Sequence, residues 1–227
     1  MKNESDFKFP DDSLKSGMDG FVSKVAAAVP LPGGGSVAAL AGTLAAALGE
    51  MMAGLTEGRG KFASVQPQIM DIHAKLAAFR DALRELIQED AEAYQALLDA
   101  IRLPRESEGQ RAIRSDFIEK AVRGATETPL RTARAAFGVL ECLKTLIELG
   151  NPNAKSDAAV GAQLAYASLK GAGYNILTNI RASKDATFAG SCRTEISELL
   201  HQAQDILQHI DALIVERAPG SAEASKV

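Results

Sequence analysis

Between Pro67 and Pro104 the chain contains neither glycine nor proline. A stretch of that length can be one helix of roughly 50 Å at 1.5 Å per residue. Its apolar residues, Ile69, Ile72, Leu76, Leu83, Leu86, Ile87, Tyr94, Leu97, Leu98 and Ile101, recur every three or four positions, the period of a helix with one buried face. Pro67 suits a first helical turn and Pro104 a stop. A rod this long needs partners of similar length, and the remaining sequence offers them. Gly17–Val29, Ser36–Leu55, Glu108–Leu149, Ser156–Ala182 and Thr194–Glu216 all read as helices, with a break expected at Pro129. Forty alanines favour helix, whereas valine and threonine are sparse. The expected fold is all-α: a bundle of long antiparallel helices. No linker or repeat divides it, so residues 17–217 read as one domain, preceded by segment 1–16 and followed by a disordered tail, 218–227.

Charge and cysteine use exclude several function classes. The formal net charge is −4 and no basic run reaches five residues, so a nucleic-acid partner is not expected. Cys142 and Cys192 form neither a disulfide framework nor a CxxC. The polar, acidic N-terminus is no signal peptide, and a cytoplasmic location is expected. Ser36–Leu55 carries only Glu50 as a charge and could span a membrane by length. Its Ala/Gly content and the lack of aromatic or basic belts argue for a buried helix instead.

That helix has two contrasting faces. Leu40, Leu44, Leu48, Met51 and Leu55 share one, expected to fill a core. Ala38, Gly42, Ala45, Ala46, Gly49 and Ala53 share the other and would let a second backbone approach closely. Before it lies Leu31-Pro32-Gly33-Gly34-Gly35-Ser36. Three glycines at a helix start can expose N–H groups to an anion, but a plain turn capped by Ser36 fits equally well. No Walker or dinucleotide pattern accompanies them.

Polar residues on apolar faces single out further positions. On Ser156–Ala182, Gln163, Lys170 and Arg181 mark a solvated side, whereas Asp157, Ser168, Asn175 and Asn179 fall within about 40° of one another beside Gly161, Leu164 and Ala172. Burying such groups costs a few kcal/mol each unless they are bonded. Either helix-bridging hydrogen bonds or a polar ligand would satisfy them. Asp90 sits similarly among Leu83, Leu86, Ile87 and Tyr94, where a carboxylate needs a partner, an arginine for example, or a shifted pKa. His73, His201 and His209 form no HExxH or ExxH pair, so no metal site is expected, and no GxSxG elbow occurs.

Six segments taken in order resemble the cyclodeaminase/cyclohydrolase family of folate enzymes. They are Pro30–Ala38, Leu55–Phe62 (LTEGRGKF), Glu89–Tyr94, Ile101–Arg105, Gly150–Asp157 (GNPNAKSD) and Asn175–Ile180. The likeness runs from about residue 17 to residue 216. It implies an all-α fold that dimerises and a tetrahydrofolate substrate without a bound cofactor. It also implies one of two reactions: ring closure of 5-formiminotetrahydrofolate to 5,10-methenyltetrahydrofolate with loss of ammonia, or interconversion of the 5,10-methenyl and 10-formyl forms. The cyclodeaminase reaction is the first expectation. A non-catalytic helical scaffold is the contrasting one. Both reactions pass through a tetrahedral carbon between N5 and N10 and need a proton carrier, for which Asp157 and Asp90 are the candidates. Asn175, Asn179 and Ser168 would orient the pterin or the bridging carbon. Gly33, Gly34, Gly35, Ser36, Arg59 and Lys61 would receive the glutamate tail, whether mono- or polyglutamylated. A formiminotransferase would have to act separately.

Overall fold

The computed structural model describes residues 17–215; the expected N-terminal segment, residues 216 and 217 and the expected tail lie outside them. Those residues form six α-helices and no strand: α1 (Gly17–Val25), α2 (Gly34–Gly54), α3 (Gln66–Arg102), α4 (Glu108–Leu149), α5 (Lys155–Asn179) and α6 (Ala186–Val215). Helices α2 to α5 make an up-down-up-down bundle around one hydrophobic core. Cross-helix partners give the directions. Along α2 and α3, Gly35 faces Asp90, Gly42 faces Leu83 and Gly49 faces Leu76, so the two run antiparallel. The two ion pairs between Glu50 and Arg80 (2.6 Å) and Glu57 and His73 (2.7 Å) continue the same register. Helix α6 packs outside, parallel to α4, as Arg134–Glu195 and Glu148–His209 show.

The register between α2 and α3 advances seven residues at a time. A Cβ on Gly42 would lie 2.8 Å from Ser168 Oγ and 3.0 Å from a Leu83 methyl; one on Gly49 would lie 2.8 Å from a Leu76 methyl. Both glycines are thus required by close approach, as the small stripe implied. The opposite stripe departs in part from expectation. Leu44, Met51 and Leu55, with Val37 beside them, remain 38–43% exposed and Leu40 and Leu48 are half-buried, whereas Ala39, Ala45, Ala46 and Ala53 are fully buried. The small face is the core face, because α2 is wedged between α3 and α5, and Met52 is the one large α2 side chain fully buried there. Length and composition alone would let α2 cross a membrane, but it is packed into the bundle on three helices.

Three expected boundaries also shift. Helix α4 is continuous through Pro129. Proline has no N–H, so the Ala125 carbonyl four residues earlier loses its helical donor. The Asn179 side-chain amide of α5 donates to that carbonyl at 2.6 Å and replaces the missing bond. Helix α6 begins at Ala186 rather than Thr194, because the Asp185 carboxylate accepts from the Phe188 N–H at 2.9 Å and caps it. Helix α2 begins at Gly34, so two glycines of the supposed turn are helical, and Ser36 is not its cap.

At the opposite end of α2 the Gly150–Asn153 turn is tied down. Asn151 donates from its N–H to Thr56 Oγ1 (3.0 Å) and from Nδ2 to the Leu55 carbonyl (3.1 Å). That satisfies groups left over at a helix C-terminus.

Candidate active site

The N-terminus of α2, the middle of α3 and the C-terminal part of α5 meet at one end of the bundle. Gly33 is extended and Gly34 opens the helix. The α3 side chain of Asp90 approaches so closely that a Cβ on Gly35 would lie 2.0 Å from its Oδ1 and 2.5 Å from its Cγ. Only glycine allows this. The carboxylate therefore sits at the positive end of α2, where free N–H groups and the helix dipole favour a negative charge. The anion that the glycine run accommodates is the chain's own.

Among the described residues Asp90 has no arginine partner. Ser36, fully buried one residue further on, directs its hydroxyl to Asp90 Oδ2 at 3.0 Å and to the Ile87 carbonyl at 3.1 Å. One hydroxyl hydrogen cannot serve both acceptors fully. With Asp90 ionised the hydrogen points to the carboxylate. With Asp90 protonated the carboxyl can donate to Ser36 Oγ, and the serine hydrogen turns to Ile87. Both protonation states thus have complete hydrogen bonding. Burial pushes the Asp90 carboxyl above the ordinary aspartate range, and the Ser36 hydroxyl and N–H pull against that shift. A carboxyl raised in this way keeps its proton to a higher pH than an ordinary aspartate and so can both take and return one.

Asn175 completes the local group. Its Nδ2 lies 4.0 Å from where a Cβ on Gly34 would stand, and it donates to the Gly171 carbonyl at 2.9 Å. The second amide hydrogen and the side-chain oxygen have room for other work. Asn179, one turn on, is committed to Ala125, a structural bond. Ser168 lies about 10 Å further down α5 from Asn175. It is fully buried against Gly42 and Leu83, and its hydroxyl has no hydrogen-bond partner among the described residues.

Three expected site residues stand elsewhere. Asp157 is exposed at the start of α5, about 27 Å along the helix from Asn175. The two share an angular face, as the sequence suggests, but a common face fixes direction and not axial distance. Arg59 and Lys61 are exposed beyond the C-terminus of α2, about 30 Å from its N-terminal glycines. Within one chain they cannot act beside Asp90.

The comparisons agree with this architecture. The sequence profile described as formiminotransferase-cyclodeaminase matches residues 17–198. The chain belongs to the formiminotransferase-cyclodeaminase family. A methenyltetrahydrofolate cyclohydrolase of Methylorubrum extorquens is 33% identical over 190 residues, covering 84% of this chain and 91% of that protein. The mouse formimidoyltransferase-cyclodeaminase is also 33% identical, over 86% of this chain, but the match spans only 36% of the mouse protein. A solved formiminotetrahydrofolate cyclodeaminase of Thermotoga maritima superposes with a TM-score of 0.79 at 28% identity, over 88% of this chain and 96% of that one.

Family membership gives the shared segments their physical reasons. Pro30–Ala38 and Glu89–Tyr94 are the two sides of the Gly35–Asp90 contact between α2 and α3, Gly150–Asp157 ties off α2, and Asn175–Ile180 supplies both the amide near Gly34 and the clamp at Pro129. Reading the sequence missed one basic group of this family member. Arg105, Arg111, Arg114 and Lys184 line a cavity of about 320 Å³ at the same end of the bundle as Asp90. Arg111 and Arg114, three residues apart on a helix, were its visible signal.

Proposed function

We propose that this chain is a folate one-carbon enzyme, formimidoyltetrahydrofolate cyclodeaminase, closing 5-formiminotetrahydrofolate to 5,10-methenyltetrahydrofolate with release of ammonia. The observation that carries the proposal is the half-buried Asp90 carboxyl, held against Gly35 and able to exchange hydrogen-bond roles with Ser36. The formimino group enters protonated, as an amidinium; N10 attacks its carbon and gives its own proton to the ionised Asp90 carboxylate. The tetrahedral carbon then carries N5, N10 and an amino group. Asp90 returns the proton to that amino group, the C–N bond to it breaks, and ammonia departs. Asn175 orients the pterin beside Gly34. The tetrahydrofolate brings the reacting carbon itself, so the step asks for no further cofactor.

The cyclohydrolase reading stands as the second, favoured by the Methylorubrum extorquens relative that the chain matches over nearly its whole length. There Asp90 would take a proton from water as it adds to the methenyl carbon. One experiment separates them. Methenyltetrahydrofolate absorbance should rise when 5-formiminotetrahydrofolate is supplied. Loss of that absorbance from added methenyltetrahydrofolate, with no reaction of the formimino compound, would replace the first reading by the second.

Homodimer formation belongs to this reading. The uncovered apolar stripe of α2, Val37, Leu44, Met51 and Leu55, offers a second copy a surface. Two α2 helices laid antiparallel would carry Asp157, Arg59 and Lys61 of one chain to the Asp90 end of the other. Sedimentation of the wild type and of Met51→Glu tests it: a monomeric wild type refutes the dimer.

A further inference from the structure

Among the described residues the buried threonines spend their hydroxyls locally. Thr56, Thr126, Thr128 and Thr132 each donate to the carbonyl four residues back. Ser36 has no such outlet, because α2 begins at Gly34 and leaves no helical turn behind it. Its hydroxyl crosses to α3 instead and stands between two acceptors, Asp90 Oδ2 at 3.0 Å and the Ile87 carbonyl at 3.1 Å. Distances so nearly equal leave the choice to charge. An ionised carboxylate is a stronger acceptor than a peptide carbonyl, and a peptide carbonyl is a stronger one than a neutral carboxyl. The single hydroxyl hydrogen therefore turns with the protonation state of Asp90. Ser36 is fully buried, so bulk water does not reach the hydroxyl to take its place.

The charged groups of the surrounding helices are engaged elsewhere. The one charge of α2, Glu50, sits toward its far end and pairs with Arg80. On α3, Glu89 is paired with Arg131 of α4, Glu92 accepts from Gln88, and Tyr94 lies one turn on, partly exposed. Helix α5 brings the neutral Asn175, and its Lys170 lies over the Tyr166 ring. What acts on the Asp90 carboxyl is its own burial, which raises it, and the Ser36 hydroxyl and N–H, which lower it. We infer that Ser36 is a positioning residue for the proton transfer, acting through Asp90: its hydroxyl holds the carboxylate while Asp90 lacks a proton and turns to the Ile87 carbonyl once Asp90 has taken one. Ser36 keeps its own hydrogen throughout, and the transferred proton moves only between a substrate nitrogen and Asp90. The inference deepens the tetrahydrofolate reading above and rests on it.

Ser36→Ala removes the hydroxyl and keeps the N–H donor, so the carboxylate stays beside Gly35. The test follows two midpoints against pH in the wild type, Ser36→Ala, Ser36→Thr and Thr43→Ala. One is the titration of the Asp90 carboxyl by carbon-13 NMR, its signal assigned by its loss in Asp90→Asn. The other is the acid limb of kcat/KM for methenyltetrahydrofolate formation from 5-formiminotetrahydrofolate. Thr43 is the control, because its hydroxyl is bonded within α2 to the Ala39 carbonyl at 2.9 Å. Ser36→Ala should move both midpoints up by about one pH unit, the scale of a lost hydrogen bond to a charged group. Ser36→Thr, which restores the hydroxyl, and Thr43→Ala should leave both near the wild-type values. If Ser36→Ala does not fold, Ser36→Cys replaces it, a weaker donor of similar size with the same direction expected. An unmoved Asp90 midpoint, or a kcat/KM reduced by one factor at every pH, overturns the inference and leaves Ser36 a structural role. A carboxyl midpoint that moves without the kcat/KM limb also overturns it, while continued turnover keeps the folate reading intact. If the wild type turns over neither 5-formimino- nor methenyltetrahydrofolate, the folate reading itself fails and this inference falls with it.

Discussion

Replacing Gly35 by alanine should abolish most of the chemistry while leaving the bundle folded. The new Cβ would stand 2.0 Å from Asp90 Oδ1 and 2.6 Å from Oδ2, where ordinary contact begins at 3.4 Å. The carboxylate must therefore retreat by about 1.4 Å, the difference of 3.4 and 2.0, and the 3.0 Å bond from Ser36 cannot survive that movement in its present form. Losing a bond to a buried carboxylate costs about 1–3 kcal/mol. Alanine in place of glycine returns about 1 kcal/mol of helix preference, so the net loss of stability should be small. Catalysis is less tolerant, since misplacing a reacting group by about 1 Å costs on the order of 10²-fold. The expected result is a Tm within a few degrees of wild type with kcat/KM reduced about a hundredfold. Two other helical glycines provide controls. Gly190→Ala, exposed on α6 with nothing within 4 Å of the new Cβ, should keep both Tm and turnover. Gly42→Ala strikes Ser168 and Leu83 and should lower Tm with a milder effect on kcat. Wild-type kcat/KM in a folded Gly35→Ala would show that the Asp90 position is irrelevant to turnover.

Asp90→Asn should lower kcat by about 10²-fold or more, the scale of a lost general acid-base group, and should also raise stability at neutral pH. The sign follows from the raised carboxyl: its proton favours folding fully below the ordinary aspartate pKa, and that contribution is lost as pH rises through the folded-state value. Melting both proteins across pH 3 to 8 should show the gap vanish at the acid end; a constant gap would contradict it. Asn179→Ala should cost about 1–3 kcal/mol by stranding the Ala125 carbonyl. In a Pro129→Ala background the restored helical N–H should shrink that cost to a few tenths, so additive denaturation energies would disprove the clamp. Ser168→Ala removes a buried, unpartnered hydroxyl and should raise stability by about 1 kcal/mol with turnover unchanged; a fall in turnover would return Ser168 to the substrate.

Helix number and the paired direction of α2 to α5 were legible from spacing and punctuation, since a Gly- and Pro-free rod between Pro67 and Pro104 leaves few alternatives. Asp90 and Asn175 were legible because a polar group on an apolar face needs a reason. Pro129 misled because the donor that repairs its helix sits 54 residues away on α5. The faces of α2 misled because bulk signals burial only when neighbours stand far enough apart, and here α3 and α5 approach closely along a face made mostly of alanine and glycine. Asp157, Arg59 and Lys61 were grouped with Asp90 on direction and charge alone; helical rise then set them about 30 Å away. The basic cavity stayed hidden because its members come from two loops and one helix end.

The Asn179 clamp also links motions. A helix whose interior carbonyl is served by a side chain of another helix cannot keep its full ladder if that helix moves off. The last turns of α5 and the Ala125 region of α4 therefore open as one cooperative unit, and their amides should exchange with solvent at a common free energy. Asn175, one turn away from the clamp, rides on that unit, so the freedom of the amide beside Gly34 is set by a bond to another helix.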